Sequence, residues 1–288
     1  MDALTAGKLI RTFDRLHSVS YFVPEVAERF GALGMEGRTP YFAVRSAPMG
    51  AVGAEVVAAT FYNFNPALVA TAIPAAWELA SPQTVTAIRY EIVSEALPRV
   101  LGDELATSAE LARAAVILRR AAEAIPTGDG RPLYAAHAGV PWPDSVPAQL
   151  WHAITLLREY RGDGHIAALI ANGLSGLEAL ITHTVAGIGF SMDFARLLRG
   201  WSREQWAAGV DSLKSRGLVD DDALTPAGVE LRSRLEDLTD ELAFAPWRLV
   251  SDDDVELLER VGKLIREAVA SSGLFPGGAF GPRYGEHR

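Results

Sequence analysis

The feature that most constrains the fold is the spacing of the apolar residues, which recur every three or four positions along most of the chain. This spacing places them on one face of an α-helix, whereas strand-like alternation is nearly absent. We therefore predict an all-α (mainly α) fold. The predicted helices cover Thr5–His17, Pro24–Leu33, Ala54–Phe61, Pro66–Leu79, Pro82–Leu101, Ser108–Ala124, Ala148–Tyr160, His165–Asn172 and Gly176–Val185.

The length of the chain predicts more than one domain, because 288 residues are many for a single hydrophobic core. The glycine-containing stretch at 185–189 is the best candidate for a hinge. We expect a large N-terminal helical domain over residues 1–187, which would bind a ligand, and a smaller module over residues 188–288. Asp163 and Ser175 are placed to cap the helices that follow them.

Composition excludes several classes of protein. The chain has no cysteine, so disulfides, thiolate metal sites and cysteine nucleophiles are ruled out. No stretch approaches the roughly 18 uninterrupted apolar residues of a membrane span. The first residues, MDALTAGKLIRTFDRL, lack the pattern of a signal peptide. We expect a cytoplasmic protein without a membrane partner.

Residues 190–240 have the order of a winged helix-turn-helix. A predicted helix, Met192–Leu198, is followed by a turn at Gly200 and by a second helix that Ser202 caps, with Gln205 completing a capping box. A sharp stop at residues 216–219, a very short β-hairpin wing and another helix after Pro226 follow. The sequence therefore predicts a winged helix with a minimal wing.

The pattern GW-S-x-E … L-x-x-R-G-L-V … L-T-x-x-G-x-x-L in this segment resembles the multiple-antibiotic-resistance-regulator (MarR) group of winged helices. The resemblance covers about one sixth of the chain. It implies that the second helix enters the major groove of DNA. The residues that would contact DNA are Ser202, Arg203, Gln205, Lys214 and Arg216.

The charges of the module oppose DNA binding. The wing, Val219-Asp220-Asp221-Asp222-Ala223, holds three carboxylates, and residues 190–240 contain seven basic and ten acidic side chains. Since phosphates repel carboxylates, an acidic wing disfavours DNA as a partner. The net charge of −9 for the whole chain has the same sign. Two interpretations stay open, a DNA-binding module and a module kept for packing or dimerisation.

The chain as a whole resembles an actinobacterial family called SalK-like, or helix-turn-helix family protein. The resemblance rests on LHSVSYFxPE at 16–25, FYNFNP at 61–66, RGDGHIAAL at 161–169 and APW at 245–247. It implies the architecture and no settled activity.

Polar side chains in apolar segments of the helical domain predict a small-molecule pocket. Arg161, Asp163 and His165 are expected at a helix start, where free N–H groups favour an anion. His152 and Glu159 share a helix face, which would put a carboxylate behind an imidazole. Each histidine has an alternative interpretation as a hydrogen-bonded core residue. The candidate ligand or catalytic residues are His17, Arg45, Tyr62, Asn63, His137, His152, Arg161, Asp163, His165 and His183.

Cofactor and metal stay open at this point, and both a histidine-liganded metal and a haem are alternatives. Zinc or iron would need several ligands to converge, for example His137, His152 and His165 from separate helices. The sequence contains no H-E-x-x-H and no E-x-x-H pair. It also lacks G-x-S-x-G, G-x-x-x-x-G-K-[ST] and, after a strand, G-x-G-x-x-G, which removes the hydrolase-elbow, P-loop and Rossmann interpretations.

Three functions are compatible with these patterns. The favoured one is a ligand-responsive transcriptional regulator that acts as a homodimer. An apolar stripe on the helix predicted at Asp252–Ala270 would form the dimer interface or pack inside its own chain. The second is a small-molecule-metabolising enzyme in which the winged helix is a scaffold, His152 or His165 the general acid/base, and Arg161 or Arg45 the substrate anchor. The third is a scaffold that binds only other proteins.

Overall fold

The computed structural model describes residues 1–220 and 222–275, and these are mainly helical. The helices are α1 Ala3–Arg11, α2 Asp14–Phe22, α3 Pro24–Ala32, α4 Thr39–Ser46, α5 Ala54–Phe61, α6 Pro66–Ala70, α7 Ala76–Leu79, α8 Pro82–Leu101, α9 Asp103–Ala106, α10 Ala109–Glu123, α11 Pro132–Ala138, α12 Val146–Ala171, α13 Gly176–Val185, α14 Met192–Leu198, α15 Arg203–Ser215, α16 Pro226–Ala243 and α17 Asp252–Ser271. Short 3₁₀-helices cover Ala47–Met49 and Ala245–Leu249.

The sheet among the described residues is a two-stranded hairpin. Strands β1 (Val219–Asp220) and β2 (Ala223–Leu224) are antiparallel, with Val219 opposite Leu224. The prediction of a mainly helical fold with a very short hairpin wing is confirmed. Asp221, at the centre of the acidic wing, lies outside the described residues.

Local capping explains why many helix boundaries were readable. Ser81 accepts a hydrogen bond from the backbone of Thr84 at the start of α8, and Ser108 does the same for α10. Ser175 begins α13 with a complete capping box. Ser202 begins α15 in the same way, as predicted. These polar side chains satisfy the free N–H groups of the first turn, so each helix starts where its cap stands.

Four predicted helices have the wrong bounds. The predicted helix Thr5–His17 is divided between α1 and α2. The predicted helix Pro66–Leu79 is divided between α6 and α7, because Pro74 has no N–H for a continuing helix. Conversely, the segments predicted at 148–160 and 165–172 form one helix, α12. Its glycines cost about 1 kcal/mol each relative to alanine. Burial of the helix against its neighbours outweighs that cost.

The larger apolar core surrounds α12, which packs against α2, α8, α10, α11 and α16. Trp151 of α12 is fully buried there. The apolar stripe of α17 completes this core, since Leu258, Val261 and Ile265 are inaccessible to solvent. Val255 is partly buried and Leu264 is 40% exposed. The interpretation of this stripe as a dimer interface is therefore corrected: it packs inside its own chain.

A second apolar core belongs to the winged helix. It joins residues of α13, α15 and α16, among them Ile181, Trp206, Leu213 and Leu235. Gly209 of α15 permits the close packing on α13, since a β-carbon at this position would lie 2.7 Å from Cδ1 of Ile181. This core also takes in residues before position 188. The domain boundary at 187 stays a prediction.

Within residues 1–220 and 222–275, no single helix is long and apolar enough to cross a membrane. The pair α12 and α13 passes that test of length and composition only jointly, and it is bent by 102°.

Candidate functional site: an arginine-lined cleft

The turn of the helix-turn-helix is bonded to the N-terminal helices through residues 62–68, which we call the docking segment. The backbone N–H of Asn65 donates to the carbonyl of Arg199 at 2.9 Å. The Asn65 side chain donates to the carbonyl of Gly200 at 2.9 Å and to Oε1 of Gln205 at 3.1 Å. Trp201 donates from Nε1 to the carbonyl of Asn63 at 3.0 Å. The start of α15 is thus fixed to the N-terminal helices.

Two cavities meet beside this contact and form one cleft. The inner cavity, of about 310 Å³, lies between α4, α12, α13 and α16. The outer cavity, of about 800 Å³, opens between α1, α2, α13 and α17. The lining residues common to both are Arg11, Asp14, Asn63, Arg158, Leu180, His183 and Arg199.

The inner cavity is lined by six arginines and four carboxylates. Glu236 pairs with three of the arginines, with its carboxylate 3.0 Å from Arg161, 2.8 Å from Arg232 and 3.9 Å from Arg11. Burial acts to raise the pKa of Glu236, but His165 and these guanidinium groups hold it well below the ordinary range. One buried carboxylate thereby orders side chains from three helices.

On the opposite wall of the cavity, Glu159 is the buried carboxylate that orders arginine side chains. Its carboxylate lies 2.9 Å from Arg158 and 3.5 Å from Arg45. Burial acts to raise the pKa of Glu159, yet the two arginines lower it to about 2. The same arginine charges act on Tyr41. Burial acts to raise the pKa of Tyr41, but the positive charges of Arg45 and Arg199 bring it below the ordinary value.

Arg199 differs from the other arginines of the cleft. Its Nε donates to Oδ1 of Asn63 at 3.1 Å, and its guanidinium lies over the ring of Phe64 at 4.3 Å. No carboxylate of the described residues pairs with it. Burial, together with the nearby charges of Arg45, Arg38 and Arg158, lowers the pKa of Arg199 to about 10. It stays charged at neutral pH without a counter-ion from the part of the chain that the structure describes.

The structure places six of the ten candidate ligand residues in the wall of the cleft and four outside it. Those in the wall are Arg45, Asn63, Arg161, Asp163, His165 and His183. His17, His137 and His152 are fully buried in the larger core. Tyr62 packs against the second core and donates its hydroxyl to the carbonyl of Leu174 at 2.5 Å.

The histidines therefore divide into two groups. His17 stacks on Trp151 with ring centroids 5.6 Å apart. Among residues 1–220 and 222–275, neither His17 nor His137 has a hydrogen-bond partner on its ring nitrogens. Burial lowers the pKa of His137 to about 3. In the cleft, burial lowers the pKa of His165 to about 4 and that of His183 to about 3. All four are neutral at physiological pH.

The predicted anion site at a helix start was wrong. Arg161, Asp163 and His165 lie inside the continuous helix α12, where the backbone N–H groups are already bonded. Asp163 does cap a helix, but a different one: its Oδ2 accepts a hydrogen bond from the backbone of Tyr134 in α11 at 2.9 Å. His165 bonds Oγ1 of Thr239 through Nδ1 at 2.8 Å.

The predicted pairing of His152 with Glu159 was also wrong. Nδ1 of His152 is 2.5 Å from the hydroxyl of Tyr90, and its ring packs edge-on against Trp142. The carboxylate of Glu159 instead lies 4.0 Å from Nε2 of His17. Over residues 1–220 and 222–275, no group of three His, Asp or Glu side chains is arranged to hold a metal ion.

The five candidate DNA contacts differ in what they already bind. Ser202 and Gln205 form the capping box of α15. Arg216 donates to the carbonyl of Gly173 at 3.0 Å and lies 3.2 Å from Glu178. Arg203 and Lys214 are exposed on the outer face of α15. That face also carries Glu204 and Asp211.

Arg11, Arg158, Arg199 and Glu236 were not among the candidates from the sequence, although they are central to the cleft. Their charged side chains are typical of solvent-exposed helix positions, so the sequence offered no signal that separates them from surface residues. Arg199 stands directly before the predicted Gly200 turn, and that position was the one available hint.

The profile of the helix-turn-helix family matches residues 6–276, nearly the whole chain. The protein belongs to this helix-turn-helix family. No curated protein and no solved structure matches the chain.

Proposed function

We propose that this protein is a ligand-responsive transcriptional regulator, a SalK-like actinobacterial protein with a MarR-like winged helix. In this proposal a small molecule binds in the arginine-lined cleft and changes how α15 is presented to DNA. The observation that carries the proposal is the position of Arg199 and Asn63. Both line the cleft, and both belong to the contact between the docking segment and the turn that precedes α15.

Ligand binding in the cleft can affect DNA binding only if the ligand favours one arrangement of the winged helix over another. A ligand that bonds Nη1 and Nη2 of Arg199 acts on the same guanidinium that Asn63 bonds through Nε, and so favours one position of Arg199. Arg199 is the C-cap of α14, and its carbonyl accepts the hydrogen bond of Asn65. A shift of Arg199 is thereby transmitted to the start of α15 through two adjacent hydrogen bonds.

The exposed face of α15 supports DNA contact only through a few charges. Arg203 and Lys214 face solvent, while Glu204, Asp211 and Asp220 would stand near phosphates. We therefore expect weak binding that decreases steeply with salt, since each neutralised phosphate adds about −0.9 to the slope of log K against log salt. A homodimer remains part of the proposal, and it would use a surface other than the buried stripe of α17.

The test is fluorescence anisotropy of the full chain with a labelled mixed-sequence duplex, from low to physiological salt. The proposal expects salt-sensitive binding that the double substitution Arg203→Gln, Lys214→Gln weakens at least tenfold. Arg113→Gln is the matched control, because Arg113 is exposed on α10 and away from the module. The proposal fails if wild type does not bind the duplex at low salt.

An enzyme of small-molecule metabolism is the second candidate, and Asp163 favours it. Burial raises the pKa of this cleft residue to about 6, within the range of a general acid or base. The imidazoles of His165 and His183 suit that work less well, because their pKa values of about 4 and about 3 are far from neutral. His152 lies outside the cleft, so its predicted role as the catalytic base has no geometric support.

A further inference from the structure

We propose that the cleft binds an oxyanion carrying at least two negative charges, with Arg199 as its central contact. This inference rests on the proposed function, because it names the chemical class of the ligand for the same cleft. The shared chemistry is that of a phosphate ester or a polycarboxylate.

The charge balance of the outer cavity is the first support. Seven basic side chains line it against two acidic ones, in a chain whose net charge is −9. The basic side chains come from α1, α2, α12, α17 and the end of α14, so the fold itself brings them together. The seven are Lys8, Arg11, Arg15, Arg158, Arg199, Lys263 and Arg266. A cleft with this charge concentrates anions and repels cations.

The free donors of Arg199 are the second support. Its Nε is bonded to Asn63, whereas Nη1 and Nη2 have no acceptor among the described residues. These two nitrogens form the fork that binds carboxylate or phosphate through two parallel hydrogen bonds. The ring of Phe64 holds the plane of the guanidinium in place. Such a fork is preorganised for an oxyanion.

The neighbours of Arg199 explain why more than one negative charge is needed. Arg158, 3.3 Å from Asp14 and 2.9 Å from Glu159, lies in the same wall. Lys263 and Arg266 stand at the mouth of the outer cavity on α17. A singly charged ion would pair with Arg199 and leave Lys263 and Arg266 without a ligand charge. A second negative charge on the ligand would pair with these two side chains, which line the same outer cavity.

Pyrophosphate and citrate are the two probes, with acetate at equal ionic strength as the singly charged comparison. Binding is followed by thermal shift and by isothermal titration calorimetry on the full chain. We expect a saturable response to at least one probe and a much weaker one to acetate. A response to pyrophosphate alone assigns a phosphate ester, and a response to citrate alone assigns a polycarboxylate.

Arg199→Gln should weaken binding of the responding probe at least tenfold, and Lys263→Gln about threefold. Lys263 is exposed, so the second variant tests the cleft even if loss of Arg199 prevents folding. Arg113→Gln should bind as wild type. An equal response in wild type, Arg199→Gln and Lys263→Gln, or no saturable response to either probe, overturns the inference.

The two proposals fail separately. If the protein binds an anion but not the duplex, the proposed regulator function is refuted and the oxyanion site stands. If the protein binds DNA but shows no saturable response to an anion, the oxyanion site is refuted and the regulator function stands.

Discussion

Nε of Arg199 donates a hydrogen bond to Oδ1 of Asn63 at 3.1 Å, joining two residues 136 positions apart in the sequence. One end of this bond lies on the docking segment and the other on the C-cap residue of α14. Both side chains also face the cleft. The contact between the two parts of the chain and the candidate ligand site therefore share the same atoms.

Removing the amide of Asn63 should loosen this contact without breaking the fold. We expect Asn63→Ala to lower the free energy of unfolding by about 1 kcal/mol, the usual net value of one hydrogen bond. Urea denaturation followed by circular dichroism measures the change. Asn172→Ala, which removes only a local bond to the carbonyl of Ala168, is the control. A larger loss in the control than in Asn63→Ala would contradict a role for the longer-range bond.

Gly200 allows the turn before α15 to approach the docking segment. Its φ is +75°, and a β-carbon there would lie 2.7 Å from Cβ of Leu68. Gly217 has a similar φ of +66° with no atom within 4 Å of such a β-carbon. We expect Gly217→Ala to cost about 1 kcal/mol for the left-handed backbone, and Gly200→Ala roughly 2 kcal/mol more for the clash.

Thermal and urea unfolding of the two variants measure that difference. Adding Leu68→Ala to Gly200→Ala should restore part of the lost stability, because it removes Cδ2 and Cγ of Leu68, which would lie 2.8 Å and 3.2 Å from the new β-carbon, and leaves only the contact with Cβ. Equal destabilisation by both glycine substitutions would show that the docking contact does not constrain Gly200.

Glu236 should be the most sensitive acidic residue of the cleft. It pairs with Arg11, Arg161 and Arg232 while almost fully buried. Glu236→Gln removes the carboxylate that these three cations share, although Arg161 keeps its ion pair with Asp240 at 2.9 Å, and we expect a loss of about 3 kcal/mol in unfolding free energy. Glu230→Gln, on the exposed face of the same helix, should change it by less than about 0.5 kcal/mol. Similar values for both variants in urea denaturation would refute this role.

Because of its buried histidines, the protein should begin to lose stability at a higher pH than the titration of its carboxylates alone would predict. The buried histidines have pKa values lowered from 6.5, to about 3 for His137 and about 4 for His152. They stay neutral in the folded chain while the unfolded chain takes up protons. Stability is therefore lost as pH falls from about 6.5, by about 1.4 kcal/mol per pH unit for each such histidine.

Two carboxylates modify this profile with opposite signs. Asp163, whose pKa burial raises to about 6, regains stability as pH falls from about 6 towards 3.8. Glu159, with its pKa lowered to about 2, loses stability below about 4.5. The net expectation is a decline that starts near pH 6.5 and steepens below 4.5.

His137→Leu tests the histidine part of this profile. Both ring nitrogens of His137 lack hydrogen-bond partners among the described residues, so an apolar side chain of similar size should be tolerated near neutral pH. The slope of stability against pH between 4 and 6 should fall by about 1.4 kcal/mol per pH unit. Urea denaturation at pH 7.5, 6, 5 and 4 gives the slope. An unchanged slope would mean that His137 titrates normally in the folded chain.

The sequence by itself determined the local features of this protein. The helical spacing predicted the fold class, and the capping residues Ser81, Ser175 and Ser202 fixed helix starts, because a cap acts on N–H groups within three residues of itself. The helix–turn–helix–hairpin–helix order was readable for the same reason. Each of these features depends on neighbours in the chain.

Which residues form the cleft could be determined only from the tertiary structure. Whether α12 continues through Gly162 and Gly164 depends on the helices packed around it, not on its own propensity. Whether an arginine is a surface charge or part of a site depends on partners far away in the sequence, as with Arg161 and Glu236 or Arg199 and Asn63. The histidines were candidate ligand residues from the sequence, but three of them are buried in the larger core and do not line the cleft. The arginines form the site because electrostatic interactions act through space and carry no signature in local spacing.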